Sequence, residues 1–425
     1  MSSPQTSNVN EIAQHLKWIR EQFPALNLEV DGKRAIYFDG PGGTQVPQRV
    51  IDAMADCLVR SNSNTHGSFL TSRRTDATIA AAHSAIADLL GCDDDEVVFG
   101  PNMTTLTFAM SRAIGRELGP GDEIVITMLD HDANVAPWRA LAEKGVTIRK
   151  VDINLDTCTL NMHDLSTKIT RKTKLVALGY ASNAVGTINH IERVIGLAHE
   201  NGAMVYVDAV HYAPHAPIDV RALDCDFLAC STYKFFGPHM GALYGKREHL
   251  KRFRPYKVRP ASDELPSRWE TGTQNHEGLA GVSAAISYLA ELGLRMSPQV
   301  ETRRDALLCA YRAIHGYERT LAERLISGLQ HIPGLTIYGI TDPAKFDRRT
   351  PTVAIRVQGH TPAELSSKLG ERGIFTWEGN YYAINLTERL GVEDQGGMLR
   401  IGLVHYNTAE EVDRFLAELN DIVRK

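Results

Sequence analysis

The sequence predicts an α/β fold: a mostly parallel sheet flanked by helices, with a smaller αβ C-terminal domain. Three observations lead there. From about residue 95 to 245, short β-branched runs alternate with helical patterns. Those runs are nearly all apolar, as strands covered on both faces are, rather than alternating apolar and polar. After a helical stretch from about 275 to 330, a second and shorter set of strand and helix patterns begins.

The elements follow in order. Glu96-Val97-Val98-Phe99 reads as a strand leading to a helix over Thr104–Leu118. Glu123-Ile124-Val125-Ile126 leads to a helix over Asn134–Glu143. Lys174–Leu178 leads to a helix over Ile191–Glu200. Met204–Val207, Phe227–Ala229 and Gly241–Tyr244 complete the large unit. Glu301–Leu329 is one long helix candidate. The smaller unit has strands at Leu335–Tyr338, Thr352–Val357 and Met398–Gly402, with a helix over Pro362–Arg372. An amphipathic helix over Thr408–Val423 follows.

Composition narrows the class. A chain of 425 residues is long enough for two large cores. Its hydrophobic content of 43% and charged content of 23% are ordinary for a globular protein. A net charge of −5 with no basic stripe argues against a nucleic-acid partner. No apolar run is long enough for a membrane span, and Met1–Asn10 lacks the apolar core of a secretory signal. Cys57, Cys92, Cys158, Cys225, Cys230 and Cys309 are scattered without zinc-type spacing, so no metal site is expected. The expectation is a cytoplasmic, reduced enzyme.

In open parallel sheets, ligands sit beyond the carboxyl ends of the strands. Here one strand ends on Asp208 and the next runs through Ser231 to Lys234 and a Gly-Pro turn. A strand-end carboxylate and a strand-end lysine suggest pyridoxal phosphate: the amine takes the cofactor aldehyde, and the carboxylate keeps the pyridine nitrogen protonated. Alone, Lys234 reads more readily as a solvated loop lysine. The other strand ends add to the pattern. Gly100–Thr105 turns into a helix and suits a phosphate, though a plain helix cap explains it too. His131 can lie on an aromatic ring and move protons, or be a packing residue. Asn183 offers an amide to a phenolate oxygen. Five strand ends carrying residue types that one cofactor needs make separate structural explanations improbable together.

The chain resembles the cysteine desulfurase-like group of class V aminotransferase-fold enzymes over nearly its whole length. Phe38-Asp39-Gly40-Pro41-Gly42-Gly43-Thr44-Gln45-Val46-Pro47 is similar to the family's segment at the active-site mouth, which puts Gly42 near substrate. Met103-Thr104-Thr105 resembles its phosphate turn, His131 its stacked histidine, and Asn183 its ring-hydroxyl partner. Asp208 resembles the pyridinium partner, and Ser231 and Lys234 the phosphate serine and Schiff-base lysine. Glu270-Thr271-Gly272-Thr273 is similar to a motif whose threonine reaches the phosphate of the other subunit, which implies a homodimer with shared active sites. Arg400 resembles the arginine that grips a substrate carboxylate. The resemblance implies the pyridoxal-phosphate-dependent transferase fold type I. It also implies an N-terminal segment, 1–34, packing with the small domain, a large cofactor domain, 35–290, and a small domain, 291–425.

The departures carry functional information. A desulfurase needs a thiolate on the loop before the arginine. Here that loop is Gly379-Asn380-Tyr381-Tyr382-Ala383, with Tyr382 in the thiol position and no cysteine after Cys309. Tyr381 and Tyr382 read either as loop packing or as substrate contacts. Tyr233 stands for the family's histidine before the lysine, and His211 for a glutamine near the ring oxygen, where its charge is expected to respond to pH near neutrality. The expected enzyme acts on a small L-amino acid, with a C–S lyase or β-eliminating reaction favoured by the relatives it resembles. Aminotransferase and epimerase are the alternatives. A true desulfurase and a non-catalytic binding protein rank lower, and Lys234 with Arg400 argues against the latter.

Overall fold

The computed structural model describes residues 5–424, and side chains from Ile12 onward. The first four residues of the expected N-terminal segment lie outside the described part. Seven strands form the large sheet: β1 (Val97–Gly100), β2 (Glu123–Thr127), β3 (Thr147–Val151), β4 (Thr173–Gly179), β5 (Met204–Asp208), β6 (Phe227–Ser231) and β7 (Gly241–Gly245). Their order is β1-β7-β6-β5-β4-β2-β3. β7 runs antiparallel to both neighbours, and the others are parallel. Every residue of β1, β2, β6 and β7 is buried, which is why these strands read as unbroken apolar runs.

β3 was not expected. It is an edge strand with only Val151 buried, and Arg149 reaches back to Glu123 at 2.7 Å. Half-solvated edges lack the apolar signature of central strands. The helix expected over 134–143 is also broken. It consists of a short helix, Ala136–Arg139, between 3₁₀ turns at Asp132–Asn134 and Ala140–Lys144. Pro137 has no N–H to donate, so no regular helix passes through it from Asp132. The helix after β1 runs Met103–Ile114 and stops earlier than expected, at Gly115. The helix Ile191–Glu200 spans the residues its periodicity predicts.

The smaller sheet holds β8 (Leu335–Tyr338), β9 (Thr352–Val357), β10 (Trp377–Gly379) and β11 (Met398–Gly402), in the antiparallel order β8-β9-β11-β10. β10 escapes a sequence reading because it has three residues, none buried. Its register sets Trp377 opposite Arg400.

Residues 36–44 tie the two sheets together. Ile36–Tyr37 pairs with Ile374–Phe375, and Phe38 O accepts from Gly402 N at 2.8 Å. Thr44 N donates to Tyr233 O at 3.0 Å, and Thr44 Oγ1 accepts from Phe236 N at 2.8 Å. The N-terminal helix Gln5–Glu21 is pinned by Arg20, which meets Glu411 at 2.8 Å and Tyr406 O at 2.7 Å. Among the described residues no helix is long and apolar enough to cross a membrane.

The helices His276–Met296 and Arg303–Leu329 pack with almost no gap at Gly293, where a Cβ would fall 1.8 Å from Ala306 O. Gly293→Ala should therefore force the helices apart and destabilise the fold by about 1–3 kcal/mol, the usual cost of overpacking. Denaturant unfolding followed by circular dichroism checks this. An unshifted midpoint would mean the contact is not tight.

Candidate active site

The carboxyl ends of β1, β2, β4, β5 and β6 open onto one cavity of about 490 Å³. The smaller sheet closes it through Trp377, Arg400 and the loop Gly379–Tyr382. Lys234, Asp208, His131, Met103, Thr104, Asn183, His211, Ser231, Tyr233, Gly42, Tyr382 and Arg400 all line it. Thr273 does not. It lies in a separate, wider groove with His66, His83 and Glu270. Glu270 of the same motif is buried beneath, accepting from Phe99 N at 2.7 Å and meeting His83 Nε2 at 2.9 Å.

Lys234 ends β6 on a short 3₁₀ turn, and its ammonium is held by the carbonyls of Pro41 and Gly42, the latter at 3.0 Å. Trp377 presses on Gly42 so closely that a Cβ there would lie 2.5 Å from the indole nitrogen. Burial, and next the charge of Arg400, pulls the lysine down to about 7. Burial pushes Asp208 up to about 6, against the Val210 N–H bond at 2.9 Å and the nearby lysine. Near neutrality the carboxylate is thus mainly charged and the amine is poised to lose its proton.

His131 Nδ1 accepts from Ala133 N at 3.0 Å, which leaves the ring proton on Nε2. Burial and the charges of Lys234 and Arg400 lower its pKa to about 4, so it is a neutral ring at physiological pH. His211 corrects an expectation. Burial, then His215, Arg400 and Lys234, hold it well below the ordinary histidine range. It stays neutral near pH 7 and cannot switch there, and its Nε2 lies 3.0 Å from Thr350 Oγ1.

An anion cradle forms where β1 meets its helix. Asn102 caps the helix by accepting from Thr105 N at 2.8 Å, and Ser231 Oγ accepts from Met103 N at 3.1 Å. First-turn N–H groups have no intrahelical acceptor, and the helix dipole favours a phosphate there. Close approach is built in: a Cβ on Gly241 of β7 would sit 2.4 Å from the Asn102 carbonyl carbon. At the other end, Arg400 is buried with Nε unpaired, and burial lowers its pKa to about 10. An incompletely satisfied buried guanidinium suits an incoming carboxylate. Cradle, carboxylate, lysine and histidine together fit pyridoxal phosphate.

Several residues were missed by reading the sequence. Asp130 is buried beside His131, with Oδ1 accepting from Gly179 N at 2.7 Å and Oδ2 unpaired. Burial, opposed by the Gly179 bond, raises it to about 8, so it holds a proton at neutral pH. A carboxyl one residue before a noted histidine was the available signal. Trp377 gave none, because its role comes from the register of β10. Tyr381 and Tyr382 both have positive φ, 55° and 60°, a conformation that costs non-glycine residues of order 1–3 kcal/mol each. The loop is held by Asp132 N donating to Tyr382 O at 2.7 Å and by Tyr382 stacking on His131 at 5.4 Å.

The lysine makes a pH prediction. An amine that titrates near 7 is protonated and unreactive below that pH and free above it. Attachment of pyridoxal phosphate to the cofactor-free protein should rise with a midpoint near 7. Arg400→Met removes a charge that disfavours the ammonium, so the midpoint should move to higher pH. Stopped-flow absorbance measures both. A wild-type midpoint near that of free lysine, about 10.4, would contradict the burial argument.

Comparison with known proteins fits this geometry. The aminotransferase class-V family model matches residues 36–415. A probable cysteine desulfurase of Halalkalibacterium halodurans is 32% identical over 411 residues, covering 93% of this chain and 95% of the relative. One from Mycolicibacterium paratuberculosis is 33% identical over 420 residues, 95% of this chain, which spans 58% of that relative's length. Among solved structures, the apo cysteine desulfurase of Thermococcus onnurineus superposes with a TM-score of 0.85 at 27% identity, covering 96% of this chain and 98% of the other. An Escherichia coli cysteine desulfurase gives 0.82 at 28% identity, with 96% and 98% covered. The chain belongs to the class-V aminotransferase family of pyridoxal-phosphate-dependent enzymes and is related to the cysteine desulfurases.

Proposed function

We propose that the protein is a homodimeric enzyme that removes a β-substituent from a small L-amino acid, with sulfur as the preferred leaving group. The observation that carries this reading is the absence of a thiol from the cavity. All six cysteines are free, none lines it, and the wall that follows β10 is Asn380-Tyr381-Tyr382. Desulfuration to alanine needs a nucleophile that takes sulfur from the substrate. A tyrosine hydroxyl does not carry a persulfide. Cys230, one residue before Ser231, is buried and held at about 12 by desolvation and then by Asp208. Elimination needs no nucleophile of this kind: L-cysteine and water give pyruvate, ammonia and sulfide.

The bound cofactor supplies an electron sink for the charge left when the α-proton departs. The chain's residues do the rest. Met103, Thr104 and Ser231 would hold the phosphate. Asp208 would keep the ring nitrogen protonated, and Asn183 and His211 would serve the ring oxygen. His131 would offer the ring a neutral imidazole. Arg400 would bind and orient the substrate carboxylate. Lys234, freed from the carbonyls of Pro41 and Gly42 and titrating near 7, takes the α-proton as general base. Thr273 would serve the partner's phosphate across the dimer interface.

Incubation with L-cysteine should yield sulfide, pyruvate and ammonia in equal amounts, without alanine and without protein-bound persulfide. Product analysis by mass spectrometry reads this directly. Stoichiometric alanine, lost on mutating one of the six cysteines, would restore the desulfurase that the relatives' names suggest.

Two variants address the roles. Lys234→Ala should lose borohydride-fixable cofactor and several orders of magnitude in turnover. Asp208→Asn should keep the cofactor but fall well over tenfold, each factor of ten being about 1.4 kcal/mol of barrier. An Asp208→Asn enzyme within tenfold of wild type would mean that Asp208 is not the ring partner.

A further inference from the structure

Arg400 is a buried cation that forms no salt bridge among the described residues. Its surroundings are nevertheless ordered. Its guanidinium carbon lies 4.2 Å from the centre of the Tyr381 ring. One Nη donates to Asn183 O at 2.9 Å, and Asn183 Nδ2 donates in turn to Tyr381 O at 2.9 Å. The three residues thus form a closed loop of contacts from a cofactor-side amide to the arginine. The Tyr381 hydroxyl donates to Met398 O, on the strand that carries Arg400, and so fixes the ring against its own support. Tyr381 reaches this place only by adopting a positive φ of 55°. A strained backbone that persists must be overdetermined by its surroundings.

We infer that Tyr381 is a positioning residue that holds Arg400 open for a carboxylate. This rests on the reading of Arg400 as the carboxylate site. The physical point is what an aromatic face does that a carboxylate would not. A buried guanidinium needs a partner, and a glutamate or aspartate would satisfy it. That partner would also occupy the N–H groups and neutralise the charge that the substrate must meet. A ring face attracts the cation through its quadrupole and takes no N–H group. The Asn183 carbonyl takes one, and Nε remains unpaired. Arg400 is therefore oriented without a hydrogen-bonded counter-charge, and the Asp39 carboxyl acts on it only through its field. On the same loop Tyr382 is 70% exposed, so the two adjacent tyrosines do different work.

The test uses the holoenzyme and compares Tyr381→Leu with Tyr381→Phe, the second keeping the ring and losing only the hydroxyl. Calorimetry with propionate as probe reads carboxylate binding without turnover, with propylamine as control. Tyr381→Leu should weaken propionate at least tenfold and leave propylamine within threefold of wild type. Tyr381→Phe should recover propionate binding to within about threefold. In turnover, Tyr381→Leu should raise KM for an amino acid by more than it lowers kcat. Equal weakening of propionate and propylamine, or equal losses in the two variants, would make Tyr381 a general support of the loop and overturn the inference. Unchanged propionate binding in Tyr381→Leu would do the same. Arg400→Met separates the two readings. If it binds propionate as wild type does, the carboxylate site itself is misassigned and this inference falls with it. If it loses propionate while Tyr381→Leu keeps it, only the role of Tyr381 is wrong.

Discussion

The grip of the Pro41 and Gly42 carbonyls on the Lys234 amine is the contact on which the site depends. It joins three stretches of chain far apart in sequence. β6 brings the lysine, residues 38–44 bring the acceptors, and the smaller sheet holds those acceptors in place. Gly402 cannot carry a side chain, because a Cβ would lie 2.0 Å from Pro41 Cδ. Gly42 is pressed in the same way by Trp377. The carbonyls are held from one side by β10 and β11, and the Thr44–Tyr233 bonds anchor them from the other. An amine fixed this way sits in a desolvated place that lowers its pKa.

That arrangement sets the charges of the whole cavity. Lys234 is half-buried and Arg400 buried, and each disfavours protonation of the histidines near them. His131 and His211 are consequently neutral partners and not pH switches. Two carboxyls behave differently under the same burial. Asp208, close to the lysine, stays mostly ionised near pH 7, while Asp130, beside Asp208 and with an unpaired oxygen, keeps its proton. Two like charges in one dry space cannot both be held cheaply, and the environments push them apart. The cavity thus sets a carboxylate and a guanidinium charge around an amine that titrates near neutrality, a layout suited to moving protons.

The sequence made the large sheet legible because its central strands are buried on both faces and end on chemistry. Asp208, Ser231 and Lys234 follow apolar runs directly, and a reader who asks what each strand delivers arrives at the cavity. The edge strand Thr147–Val151 was hidden by its own solvation, and β10 by being three residues long. Asp130 was in view but silent, since its chemistry arises from its burial, against the Gly179 N–H bond and with the aspartate opposite, and all are tertiary facts. Trp377 is the clearest case of what a sequence withholds. Its place against Gly42 follows from a cross-strand register with Arg400 that no local pattern announces. His211 was misjudged for a related reason: its burial, and the charges of Arg400 and Lys234 near it, come only from the fold.

The loop Gly379–Ala383 joins a wall of the cavity to the cation behind it. The stretch is clamped. Tyr382 O accepts from Asp132 N and Tyr381 O from Asn183, while Asn380 Oδ1 accepts from Tyr382 N at 3.0 Å. Two successive residues at positive φ remain in place only because these bonds outweigh the strain. A loop so fixed forms a wall of the cavity and presents the aromatic ring of Tyr381 to the Arg400 guanidinium. The ring and the Asn183 carbonyl orient that cation while its Nε stays unpaired, so the backbone bonds that hold the wall also hold the charge behind it.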